Sequence, residues 1–149
     1  MSIASRSLLG LSAVILAGGA VIHALALPKA AAAAAHSTLA AFFVGAFKGL
    51  WACDSISSFG LALALGAIAS FPSIAARSLV IILALPLFGF TVALFATMGN
   101  FFPTYLNLAA AVATLAGGLL HPRVTSGRIS LPSSAGARAY PRHQPPRIR

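Results

Sequence analysis

Between Leu8 and Leu120 the chain carries only four charged side chains, Lys29, Lys48, Asp54 and Arg77. Soluble domains carry charge on about a quarter of their residues. So sparse a set cannot give a folded core of this length a hydrated surface. The solvent for this stretch must be hydrocarbon. Of the 149 residues 59% are hydrophobic and 7% charged. The expected class is therefore an all-α integral membrane protein.

A span needs about 20 predominantly apolar residues. Residues 8–27 supply one, closed by Pro28 and Lys29. Residues 78–98 supply another, opened by Arg77 and closed by Gly99 and Asn100. A third runs over 103–120, where Pro103 can occupy the first helical position without losing a hydrogen bond. The segment between Pro28 and Pro72 is apolar but interrupted. His36, Ser37, Thr38, Gly45, Lys48 and Gly49 weaken its first part, while 50–71 reads as a span with Asp54 one turn inside its start. The expectation is a four-helix bundle with spans at 8–27, 50–71, 78–98 and 103–120. An additional interfacial or packed helix over 30–49 would lie between spans 1 and 2. Phe43, Phe47, Leu50 and Trp51, across the junction of that helix with span 2, recur at three- and four-residue spacing and would share one helical face. The rival division makes 31–51 and 55–71 separate spans, five in all.

Basic residues set orientation. With four spans, Arg6, Arg77 and the six arginines beyond residue 120 fall on one side, and Lys29 and Lys48 on the other. The positive side is cytoplasmic, which puts both termini there. Five spans score equally well by exchanging Arg6 with Lys29, so charge fixes the side of the C-terminal segment and not the number of spans. Arg6, the apolar run 8–22 and Ala24-Leu25-Ala26 also fit a cleavable leader. A run long enough to span favours an uncleaved first helix. Residues 121–149 hold five prolines, six arginines and no acid, the composition of a disordered cytoplasmic tail. Of its arginines, Arg123 and Arg128 lie nearest the membrane and suit anionic lipid headgroups. The scattered arginines carry no folded nucleic-acid-binding signature.

The inventory of reactive groups is short. Asp54 is the one acidic residue and Cys53 the one cysteine. A carboxylate pair, an intrachain disulfide and a multi-cysteine metal site are thereby excluded within one copy. No spacing of His23, His36, Cys53 and Asp54 matches a closed zinc site. No phosphate loop, dinucleotide fingerprint or nucleophile elbow is present. The sequence calls for no catalytic residue, no cofactor and no metal.

Asp54 is the most informative position, because an acid at membrane depth is costly unless solvated or paired. With Ser55 it would stand at the start of the second span, where it can cap free N–H groups, and Lys48 is the nearest plausible partner. In the four-span layout His23, His36, Lys48, Asn100 and Tyr105 gather with Asp54, Trp51 and Asn107 near the outer leaflet, as a polar site or as ordinary headgroup-zone residues. Ser58, Ala62, Gly66 and Ser70 form a small-residue row on the second span. Ala109, Ala113 and Gly117 form another on the last, beside Ala110, Thr114 and Gly118. Such rows permit close helix contact, and they predict that the second and fourth helices pack together. Pro86 should bend the third span, as a passive kink or a hinge.

The stretch 36–120 resembles a diffuse group of small bacterial four-span membrane proteins. The residues that carry the resemblance are Phe47-Lys48-Gly49-Leu50-Trp51, Asp54-Ser55 and the Gly99-Asn100-Phe101-Phe102-Pro103 turn. The resemblance implies four spans and no particular activity, and it does not extend to the arginine-rich tail. The expected function is a non-enzymatic accessory or structural role through helix and lipid contacts in a bacterial cell membrane. A small transporter or channel subunit using Asp54 and a histidine is the alternative, with a membrane enzyme third. Transport would call for a homo-oligomer, since four short helices enclose little space.

Overall fold

The computed structural model describes residues 1–122. Four helices occupy almost all of that length: α1 (Ile3–Ala35), α2 (Ala41–Ser70), α3 (Arg77–Met98) and α4 (Phe102–Leu119). All four are long and apolar enough to cross a membrane. The chain is an all-α, multi-pass membrane protein. The C-terminal segment from residue 123, where the tail and the headgroup contacts of Arg123 and Arg128 are expected, lies outside the described residues.

Residues 30–49 do not form a helix of their own. The alanine run continues α1 to Ala35, and Ala41 onward belongs to α2. The sequence reading ends the first span at Pro28, yet α1 passes through it. Proline removes one hydrogen bond, and a following run of the strongest helix former restores propagation at once. The helix stops at His36, where the Ser37 hydroxyl donates to the Ala34 carbonyl at 2.7 Å. α3 and α4 keep nearly the expected bounds. Between them Gly99 takes φ +66°, a left-handed conformation that favours glycine.

By length, α1 and α2 rise about 50 and 45 Å, against about 33 and 27 Å for α3 and α4. The two long helices therefore project as a hairpin beyond the α3–α4 turn. At the other end the Ser5 hydroxyl donates to the Gly117 carbonyl at 2.7 Å, which brings the start of α1 and the end of α4 to the same side.

The helices stand in the order α2, α1, α4, α3. α1 packs along α2 and α4, and α4 packs along α3. The expected pairing of α2 with α4 does not occur, because α1 lies between them. Gly66 of the first row faces Ala13 of α1, 3.8 Å from a Cβ built on the glycine. The second row also serves α1. A Cβ at Gly117 would stand 2.8 Å from Leu9 Cδ2, and Ala109 is exposed while Ala110, Ala113 and Thr114 are buried. Gly118 turns to the other neighbour, where a Cβ would meet the Ile81 and Val80 side chains of α3 at 3.1 and 3.2 Å.

Hydroxyls fasten the α1–α4 seam. Ser12 Oγ donates to the Ala110 carbonyl at 3.0 Å and meets Thr114 Oγ1 at 2.7 Å, all of it buried. With the Ser12 proton spent on Ala110, Thr114 is the donor between the two hydroxyls. Leu9, Leu65, Ile68 and Val80 fill the interior at this end. His121, assigned to the tail by composition, is 3% exposed and belongs to the bundle.

Candidate functional site

At the turn end, α2 and α3 do not pack along each other, and a cleft of about 390 Å³ opens between them over a floor of α1 and α4. Aliphatic and aromatic side chains make nearly all of its lining, among them Leu16, Phe90, Leu94 and Phe101. Its polar groups are His23, Asp54, Ser58 and Asn107, with the Trp51 indole beside them.

His23 and Asp54 meet across the α1–α2 seam, with Nδ1 3.3 Å from Oδ2. The same Nδ1 lies 3.0 Å from Ser55 Oγ. That hydroxyl donates to the Trp51 carbonyl at 3.1 Å, so its oxygen accepts and the imidazole carries hydrogen on Nδ1, directed to Ser55, with Asp54 Oδ2 close beside the same nitrogen. Trp51 holds the ring from its face, with centroids 4.0 Å apart and planes 2° apart. The Trp51 Nε1–H donates to the His23 backbone carbonyl at 2.7 Å. Phe47 backs the indole at 5.2 Å. Helical geometry accounts for the cluster: Trp51, Asp54, Ser55 and Ser58 recur at three- and four-residue spacing on the α2 face toward α1. Asp54 is half-buried, its side chain 28% exposed. Its Oδ1 makes no hydrogen bond among the described residues.

Several expectations are corrected here. α2 begins at Ala41, so Asp54 lies roughly three and a half turns inside the helix and caps nothing. Lys48 is not its partner. Six residues along a helix is about 240° around it, and Lys48 is exposed. His36 is also exposed, in the α1–α2 turn, roughly 20 Å along the axis from His23. Asn100 and Tyr105 meet each other rather than the acid: the Tyr105 hydroxyl donates to Asn100 Oδ1 at 3.1 Å on the exposed α3–α4 turn, and the ring packs edge-on against Phe95. Of the residues singled out in the sequence, the fold brings together His23, Asp54 and Trp51. Sequence alone marks Ser55 only as a cap and Ser58 only as part of a packing row. Asn107 braces the far wall, where its Nδ2 donates to Thr91 Oγ1 at 2.8 Å and to the Leu87 carbonyl at 2.9 Å, one residue past Pro86. The signal for His23 was its register on α1, since Ser5, Leu9, Ser12, Leu16 and His23 fall at three-, four- and seven-residue steps along one stripe.

Chemically the cluster can position a carboxylate and hold a proton beside it. It is not a hydrolytic triad. A triad needs the acid on one imidazole nitrogen and the nucleophile on the other, whereas here the acid and the hydroxyl both meet Nδ1. No family model, curated protein or solved structure matches the chain.

Proposed function

We propose that this chain is a non-enzymatic accessory protein of a bacterial cell membrane, with both termini cytoplasmic, and that it works by holding a small molecule in the outward-facing cleft. The observation that carries the reading is the placement of Asp54, the one acidic side chain, on the wall of an apolar cleft with one oxygen free. A carboxylate kept only to join two helices would gain most by spending both oxygens on them. Two further features support binding over catalysis or conduction. The acid and the hydroxyl share one imidazole nitrogen, and the leucine-rich interior fills the space between the cleft and the opposite face.

Modification by dicyclohexylcarbodiimide, a hydrophobic reagent for carboxyl groups, tests it. In vesicles the wild-type protein should take up reagent at Asp54, as mapped by peptide mass spectrometry. Asp54→Asn should insert normally and lose that adduct. An unreactive Asp54 in well-folded protein would mean that the acid is sealed between helices, and the ligand-holding role would fall.

A further inference from the structure

We infer that the cleft binds hydrophobic organic cations, such as an amine or quaternary onium bearing apolar groups. This rests on reading the cleft as a ligand site. Its volume of about 390 Å³ lies in the range that accepts small organic molecules. Among the described residues Asp54 is the only side chain in its lining that can carry a negative charge, and neither lysine nor arginine lines it. Lys48, the nearest lysine along α2, is exposed outside the cleft. The one group there that could meet an anion is the His23 imidazole, whose Nδ1 already faces Ser55 and Asp54 and whose ring face is covered by Trp51. A zwitterionic phospholipid would bring its phosphate beside Asp54 in an apolar space whose one basic group among the described residues, His23, already faces that acid.

A cation finds two kinds of partner. Among the described residues Asp54 Oδ1 has no polar partner, and Oδ2 lies 3.3 Å from His23 Nδ1. The aromatic groups Trp51, Phe90, Phe101 and Phe102 line the remaining space, and aromatic faces attract onium groups most strongly where water is excluded. The gap between α2 and α3 gives access from the bilayer, where a hydrophobic cation already partitions.

The test uses the full chain in phosphatidylcholine vesicles, with tetraphenylphosphonium and its anionic isostere tetraphenylborate as probes. Trp51 is the only tryptophan and lines the cleft, so its fluorescence reports occupancy. Tetraphenylphosphonium should perturb that fluorescence saturably and protect Asp54 from the carbodiimide, and tetraphenylborate should do neither. Its affinity should fall at least tenfold in Asp54→Asn. A second variant leaves the acid in place: Gly19 lines the cleft and a Cβ there meets nothing within 4 Å, so Gly19→Phe is the change chosen to fill the space. It should weaken the cation to a similar degree while Asp54 stays reactive. The whole chain has a net charge of +9, so non-specific association would favour the borate. Equal or better protection by the borate, or unchanged phosphonium affinity in Asp54→Asn, overturns the inference. If the carbodiimide labels Asp54 and no cation protects it, the ligand class is wrong and the cleft still stands as a site. If Asp54 is never labelled, both readings fall together.

Discussion

In the half of α1 nearest the N-terminus, Ser5 and Ser12 turn into α4 and bond to its backbone and to Thr114. In the other half His23 turns toward α2 and meets Asp54 at the edge of open space. Both use a small set of polar groups on one stripe of the same helix, in a medium where unpaired polar groups are costly. They differ in how completely those groups are committed. Along the α1–α4 seam the Ser12 and Thr114 hydroxyls bond to each other, Ser12 bonds also to the Ala110 carbonyl, and Gly117 brings the helices so close that Leu9 fills the place of its side chain. At the α1–α2 contact Asp54 keeps one oxygen free beside a cleft. The first arrangement fixes two helices, and the second leaves capacity for a third party.

The contrast breaks most readily at Gly117. A Cβ there would stand 2.8 Å from Leu9 Cδ2 and 3.4 Å from the Ser5 carbonyl oxygen, so Gly117→Leu must push α1 and α4 apart. Overpacking of this kind costs about 3 kcal/mol. Unfolding titrations in mixed detergent micelles should show that loss, and wild-type stability would mean that the seam is not close-packed. The next largest effect is expected at Ser12. Ser12→Ala leaves the buried Thr114 hydroxyl without its partner, at about 1 kcal/mol, the scale of interhelical hydrogen bonds in membranes. Combining it with Thr114→Val should cost less than the sum of the two single changes. Strict additivity would show that the two hydroxyls are not coupled.

Hydropathy alone reveals four apolar helices and most of their ends, because Arg77, Gly99-Asn100 and Pro103 are strong local punctuation. It cannot divide residues 30–49. Alanine and phenylalanine runs are equally apolar in a bundle helix, an interfacial helix or a projecting hairpin, and only the continuation of α1 through Pro28 decides among them. The same limit explains the misplaced cap. Asp54 reads as a helix start only because the weak residues before it look like a break. The small-residue rows are visible in the sequence, but their partners are not, since a row of glycine and alanine suits any neighbour. Here α1 takes both rows by standing between their owners. That His23 and Asp54 come together depends on the register of the α1–α2 hairpin, which the turn at residues 36–40 sets.

Asp54→Asn should change stability by less than about 1 kcal/mol, since the amide keeps the carboxylate's shape and an acceptor oxygen beside His23. That sets it apart from the seam substitutions, because its effect belongs to binding. A loss as large as that of Gly117→Leu would make the His23–Asp54 contact a structural fastening.

The smallest effect is expected at Gly66, the nearest counterpart of Gly117 on the α1–α2 side. A Cβ there meets only Ala13 Cβ, at 3.8 Å, an ordinary contact. Alanine relieves the helix of glycine's conformational freedom, a gain of at most about 1 kcal/mol. Gly66→Ala should therefore leave stability unchanged or slightly raised in the same titrations. A cost above about 1 kcal/mol, the scale at which packing conflict outweighs that gain, would show α1 and α2 to be as tightly apposed as α1 and α4. The cleft would then sit at the end of a rigid hairpin. If Gly66→Ala is tolerated as expected, α2 is the more loosely held wall, and the helix bearing the carboxylate has the freedom to adjust around an occupant.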